Sequence, residues 1–143
     1  MQTPIVSVLV PTRERANTLK STLASALDQK SPDYEVVVSD NCSQDDTAVV
    51  VAGLNDPRVQ YFKTSSRLSM CDNYEFALEK ARGTYVIIIG DDDAIIPGAL
   101  DELIATLKAA PTPTIHMWPL HTYDWPTTDR PARADYLAPR VAP

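Results

Sequence analysis

The stretch Thr84-Tyr85-Val86-Ile87-Ile88-Ile89-Gly90-Asp91-Asp92-Asp93-Ala94 decides the reading of this chain. Tyr85 to Ile89 is an uncharged run rich in β-branched residues, which predicts a strand buried on both faces in the middle of a parallel sheet. Three carboxylates follow at once. Adjacent carboxylates repel one another unless something positive neutralises them, and ligands sit at strand ends in open α/β sheets. A hard divalent cation that also touches a phosphate answers both conditions.

Outward from that stretch, strands and helices alternate. On its N-terminal side, Ser69-Met70-Cys71-Asp72 matches a capping box and opens a helix that turns Met70, Tyr74, Ala77, Leu78 and Ala81 inward, with Gly83 as its C′ residue. On its C-terminal side, Pro97 fits the first helical position, Asp101 and Glu102 suit the first turn, and Leu100, Leu103, Ile104 and Leu107 form a buried stripe. Nearer the N-terminus, Ile5 to Val10 reads as a buried strand closed by Pro11, followed by a helix capped by Asn17 or Thr18 that buries Leu19, Leu23, Ala26 and Leu27. Tyr34 to Ser39 is a second buried strand. Ser43 to Asp46 is another capping-box match, opening a short helix with Ala48, Val49 and Ala52 inward, and Val59 to Phe62 is a short third strand. This alternation predicts a mostly parallel α/β sheet covered by helices on both faces.

Thr114 to Trp118 reads as one more strand, and residues 1–118 as one α/β domain. Seven of the twelve prolines lie after residue 110, and from Pro119 to Pro143 neither a two-residue nor a 3.6-residue period is visible, so residues 119–143 read as a Pro-rich, partly ordered arm. The 143 residues, 44% hydrophobic, suffice for an ordinary core. A net charge of −6 without basic patches argues against nucleic acid and anionic membranes as ligands. Cys42 and Cys71, the two cysteines, lack metal-site spacing and read as reduced, buried thiols. The N-terminus lacks the pattern of a signal peptide and no apolar run is long enough to span a bilayer, which predicts a cytoplasmic location. His116 and His121 read as core or exposed residues rather than catalysts.

Three loops converge at the carboxyl ends of the strands: Pro11 to Arg15, Asp40 to Ser43, and Asp91 to Asp93. Asp40 suits acceptance of an N–H from a base, or else a plain turn; Arg13 suits a base face or a phosphate, and Arg13 and Arg15 equally suit a solvated surface loop. The three carboxylates suit a metal on a diphosphate. Together they form a nucleotide site without a P-loop.

Taken in order, Val8-Leu9-Val10-Pro11-Thr12-Arg13-Glu14-Arg15, then Val37-Val38-Ser39-Asp40-Asn41-Cys42-Ser43-Gln44-Asp45, then Ala81-Arg82-Gly83-Thr84-Tyr85 running into Gly90-Asp91-Asp92-Asp93, resemble the family 2 glycosyltransferases, which have the GT-A fold. The resemblance covers roughly residues 4 to 110. It implies a UDP-sugar or related nucleotide-sugar donor and a Mn²⁺ or Mg²⁺ ion. By the same resemblance Pro11, Thr12 and Arg13 line the base and ribose with Glu14 in the same site, Asp40 binds the uracil N–H, and Asp91 approaches the ribose or sugar. Asp92 is then the first metal ligand and Asp93 the second, and Arg67 stands near the diphosphate. Two departures accompany these implications: the family's glycine before Asn73 has no obvious counterpart, and no segment matches the one that supplies the general base of inverting members. Asp124, Asp129 and Asp135 are not assigned that role.

The resemblance implies the donor-binding part of an inverting, metal-dependent glycosyltransferase. Its acceptor, whether a saccharide, a lipid-linked molecule or another, is unspecified, and an oligomer or a second chain could supply the acceptor side. The alternative is a module that binds a nucleotide sugar or nucleotide diphosphate without transfer. A third reading, a phosphoacceptor domain with clustered acidic residues around Mg²⁺, is weakened by the lack of a suitably placed lysine.

Overall fold

Val6 to Thr12 lies at the centre of a sheet because its side chains are apolar or small and every one of them is buried. The computed structural model describes residues 3–109, together with the backbone of two short strands further along the chain. The described elements are β1 (Val6–Thr12), α1 (Ala16–Leu27), β2 (Tyr34–Asp40), α2 (Thr47–Ala52), β3 (Val59–Lys63), α3 (Met70–Lys80), β4 (Tyr85–Ile88), α4 (Ala99–Ala109), β5 (Tyr123–Asp124) and β6 (Arg133–Ala134). The chain divides into units 1–110 and 111–143. In the second unit β5 and β6 pair antiparallel, two short strands that the sequence reading of residues 119–143 did not foresee. The predicted strand Thr114 to Trp118, His116, His121 and the tail carboxylates other than Asp124 lie outside the described residues.

In the first unit β1 to β4 form a parallel sheet in the order β3-β2-β1-β4. Alternate side chains serve two layers. Val6, Val8, Val10, Val36 and Val38 meet Leu19, Leu23 and Ala26 of α1 and Leu100, Leu103, Ile104 and Leu107 of α4. On the opposite face Leu9 and Val37 meet Ala77 of α3. Each fully buried Val or Leu contributes roughly 1.5–3 kcal/mol, so the α1/α4 face, with 14 clustered buried residues against 3, dominates the core.

Several local expectations are corrected. β4 is an edge strand of the described sheet, not a middle one, and Val86 and Ile88 are 38% and 48% exposed. It pairs with β1, whereas α3 packs over β1 and β2. Pro11 does not close β1 but sits within it opposite Ser39, and an Asn41 N–H to Thr12 C=O bond of 2.9 Å carries the pairing past it. In α2 the buried residues are Thr47 and Val51, while Ala48, Val49 and Ala52 are exposed. In α3 the buried residues are Asn73 and Ala77, and Met70, Tyr74 and Leu78 face outward. The reason is polar: Asn73 exchanges hydrogen bonds with Ser39 of β2, which turns that side of the helix onto the sheet.

Gly83 does not cap α3. Its N–H donates to Ser7 Oγ, and a Cβ there would lie 2.6 Å from the Ser7 backbone nitrogen. Gly98, at φ +81°, separates Pro97 from α4, so the helix starts two residues beyond the proline. Cys42 is partly buried and Cys71 exposed, contrary to the expectation of two buried thiols. No described helix is long and apolar enough to cross a membrane.

Candidate functional site

From β1 the chain moves through β2 to β3 on one side of the sheet and then crosses back to β4 on the other. β1 and β4 are therefore neighbours in the sheet although far apart in the chain, and in open α/β sheets ligands bind outside the carboxyl ends of the strands at the point where the strand order reverses. Thr12 Oγ1 donates to Asp91 Oδ2 at 2.7 Å across this point, joining residues 79 apart in sequence. A cleft of about 590 Å³ opens there, within the usual range for small-molecule sites. Pro11, Thr12, Arg13, Arg15, Asn41, Arg67 and Asp91 line it, with Ser69, Met70, Asn73 and Tyr74 from the start of α3.

The β1 loop is shaped by Glu14, which adopts φ +55°. Its N–H donates to Ser43 Oγ at 2.9 Å, and its carboxylate accepts the N–H groups of Gln44 at 2.8 Å and Asp45 at 3.2 Å. Asp45 returns the contact by accepting the Ala16 N–H at 2.9 Å and the Thr47 N–H at 3.1 Å. Neither expected cap is used: α1 has no side-chain cap of its own, Ser43 does not cap α2, and Asp45 serves the starts of both helices. Burial alone would raise the Asp45 pKa, but the hydrogen bonds from Thr47 and Ala16 outweigh it and hold the carboxyl below its usual range.

Asp40 is fully buried. One oxygen accepts the Ser43 N–H at 2.8 Å and the other accepts the Tyr61 hydroxyl at 2.5 Å. Burial and the adjoining Asp40 charge together push the Tyr61 pKa up. Beside it Asn41 fixes the far wall, accepting the Leu68 N–H at 2.7 Å and donating to the Leu68 C=O at 3.0 Å. Arg67 thereby stands at the cleft next to a pinned residue.

The acidic turn folds back on itself. Asp93 Oδ2 accepts the Gly90 N–H at 2.7 Å, and a Cβ at Gly90 would lie 2.9 Å from both Asp92 Oδ1 and Asp93 Oδ2. Arg15 Nη1 donates to Asp92 Oδ2 at 2.8 Å, with Nε 3.9 Å from Asp91 Oδ1. Burial raises the Asp91 pKa and the neighbouring Asp92 adds to the rise, against the opposing pull of Thr12 and Arg15. The repulsion among three adjacent carboxylates is thus relieved by a hydroxyl, a guanidinium and a backbone N–H, so folding of the turn does not require a metal.

The donor set is all oxygen, which suits a hard divalent cation. Among the described residues no three His, Cys, Asp or Glu side chains gather into a ready-made metal group. Cations such as Mg²⁺ use one or two carboxylates and complete their shell from substrate phosphates and water.

The sequence-predicted residues Pro11, Thr12, Arg13, Arg67 and Asp91 meet at one cleft. Glu14 and Asp40 are bonded into the loops behind it, and Asp92 and Asp93 lie on the turn beyond Asp91. Asn41 and the first turn of α3 also line the cleft, and the one sequence signal for that turn is the Ser69 capping box: Ser69 accepts the Asp72 N–H at 3.1 Å.

The model for glycosyl transferase family 2 matches residues 7–139. Among curated proteins, the chain is 36% identical over 104 residues to the GalNAc(5)-diNAcBac-PP-undecaprenol beta-1,3-glucosyltransferase of Campylobacter jejuni, covering 71% of this chain and 34% of that protein. It is 30% identical over 104 residues to the putative colanic acid biosynthesis glycosyl transferase WcaA of Escherichia coli, covering 71% and 37%. S. aureus TarS superposes with a TM-score of 0.68 at 28% identity, covering 73% of this chain and 32% of that one. A mannosyltransferase of Pyrobaculum calidifontis, in complex with GDP-Man and Mn²⁺, superposes with a TM-score of 0.66 at 28% identity, covering 78% and 34%. The chain spans about a third of the length of the curated relatives it matches. With the parallel GT-A-like sheet and a family match over most of its length, the chain belongs to glycosyl transferase family 2.

Proposed function

We propose that this chain carries the donor site of a metal-dependent, inverting glycosyltransferase that takes a UDP-sugar. The observation that carries the reading is the cleft at the switch between β1 and β4, which Thr12, Arg13, Arg15, Arg67 and Asp91 line together. Arginines recognise phosphate oxygens through paired N–H groups, and Arg13 and Arg67 supply them at this cleft. Thr12 and Asp91, bonded to each other, fix the floor on which the ribose or sugar rests. Glu14 and Asp40 hold the loop backbone that presents Pro11 to Arg13; Asp40 keeps spare acceptor capacity, but it is fully buried, so a direct bond to a base N–H requires the loop around it to open.

Asp92, seconded by Asp93, would hold a Mn²⁺ or Mg²⁺ ion. Such an ion supplies Lewis-acid neutralisation of charge on the departing diphosphate. TarS is described in complex with UDP-GlcNAc, which supports UDP as the nucleotide. Two relatives are named for diphosphoundecaprenol-linked substrates, which supports a lipid-linked acceptor bound by parts of the protein beyond this cleft.

Calorimetric titration of UDP, UDP-sugars and GDP, with Mn²⁺ and with chelator, tests the reading on the native chain and on Asp92→Ala. We expect UDP to bind only with the metal and to lose at least about tenfold in affinity in Asp92→Ala. Equal UDP binding with chelator, or no nucleotide binding at all, would overturn it.

A further inference from the structure

We infer that Arg15 is an exchangeable counter-ion: it neutralises Asp92 before the donor binds and passes to the donor diphosphate when a divalent cation takes its place. The inference rests on the donor-site reading above and adds a role that the sequence pattern did not assign to Arg15. It stands on how differently the three carboxylates are held. Asp91 is 14% exposed and bonded to Thr12 at 2.7 Å. Asp93 is bonded to the Gly90 N–H within its own turn. Asp92 is bonded at 2.8 Å to a guanidinium, and the two side chains are 50% and 52% exposed.

A pair this open to water is weak, so it breaks at small cost, whereas a buried pair would not. A divalent cation held at Asp92 would carry twice the charge of the guanidinium, and at sufficient concentration mass action would let it displace the guanidinium. Once displaced, Arg15 remains on the wall of the cleft, beside Arg13. A guanidinium suits a phosphate as well as a carboxylate, because its planar fork matches both. The exchange therefore keeps the acidic turn compensated before binding and brings one more cation to the diphosphate after it.

Removal of Arg15 is expected to act in opposite directions on the two ligands. In Arg15→Ala, Mn²⁺ alone, followed by the electron paramagnetic resonance of the free ion, binds about 3- to 5-fold more tightly because its competitor is gone. UDP in the presence of saturating Mn²⁺ binds about 10-fold more weakly, read by calorimetry, because a phosphate contact is gone. Arg13→Ala controls for charge alone: it removes the same charge from the same loop, and is expected to leave Mn²⁺ affinity within about twofold of wild type.

Unchanged or weaker Mn²⁺ binding in Arg15→Ala overturns the exchange, as does an equal gain in Arg13→Ala or undiminished UDP binding. Wild-type protein that takes Mn²⁺ but no UDP sinks the donor-site reading and the phosphate half of the inference. The Mn²⁺ comparison then decides the counter-ion half by itself.

Discussion

At Cys42 the backbone enters the left-handed region with φ +58°, a conformation that costs an L-residue roughly 1–2 kcal/mol. The turn is held there because the Cys42 N–H donates to the Asp40 C=O at 2.9 Å while Ser43 bonds Asp40 from the next position. Glycine takes this conformation freely but gives up roughly 0.5–1 kcal/mol in unfolded-chain entropy. Cys42→Gly is therefore expected to stabilise by about 0.5 kcal/mol, a rise in melting temperature of about 2 °C. Cys42→Val, with a β-branched side chain in the same conformation, is expected to lower stability by about 1–2 kcal/mol. Thermal melts that move both variants in the same direction would refute the account. At this scale the sequence was legible for the capping Ser69, and it pointed to Arg13, Arg67 and Asp91, which do line one cleft. It was not legible for Glu14 and Asp45, whose bonds cross between loops about thirty positions apart. No spacing rule reports such contacts.

The join between the two central strands and the α3–β4 connection depends on one buried carboxylate. Glu35 is 2% exposed and accepts hydrogen bonds from Ser7 Oγ at 2.7 Å, from the Arg82 N–H at 2.8 Å and from the Arg82 guanidinium. Burial by itself raises the Glu35 pKa, but the bonds from Arg82 and Ser7 outweigh it and hold the carboxyl below its ordinary value of 4.5. A depressed pKa means that folding favours the ionised form, so the contribution is complete above the unfolded value and fades as pH falls through the lower, folded one. Glu35→Gln keeps the shape and removes the charge. Because Arg82 is half exposed and can rehydrate, the loss at pH 7 is expected to be about 2 kcal/mol rather than the larger cost of a fully buried pair. Melts of both proteins between pH 7 and pH 3 should show the gap narrowing below about pH 4.5. A gap that stays constant to pH 3 contradicts the assignment. Glu35 was hidden in the sequence because it interrupts an apolar run, and its counter-charge Arg82 lies 47 residues away. The elements themselves were legible from their periods, since helices and strands of ordinary length with clear apolar stripes leave few alternatives. The faces of α2 and α3 were not, because Asn73 and Thr47 are buried for polar reasons that hydrophobic periodicity cannot register.

Across the whole first unit, alternation of strands and helices gave away a parallel sheet with two covered faces, but not which strand lies in the middle. β1, β2 and β4 all read as short apolar runs, and an apolar run looks the same at the centre of a sheet and at an edge whose outer side chains happen to be hydrophobic. The order β3-β2-β1-β4 separates them physically. β1 and β2 are each paired on two sides, and Val8, Leu9, Val10, Val36, Val37 and Val38 have no exposed surface. β4 is paired with β1 alone in the described sheet, so alternate amides along it face away from the ladder, and Val86 and Ile88 are partly open to water. Local opening is governed by buried contacts and by exposure of the backbone bonds. Native-state hydrogen exchange is therefore expected to place the amides of Val36 to Val38 in the slowest class, exchanging only on global unfolding, and those of Val86 and Ile88 at least about 30-fold faster. The same difference would bear on function, because β4 carries the acidic turn while β1 carries the loop of Thr12 and Arg15. A donor bridging Thr12 to Asp91 ties the edge strand to the central one, so its binding should slow Val37, which exchanges on global unfolding, by the full binding factor, and should slow Val86 and Ile88 as well, up to that factor, where opening of β4 breaks the site. Edge-strand amides as protected as those of Val37 before any ligand is added would mean that β4 is covered as a central strand is, and the described sheet order would not account for its stability.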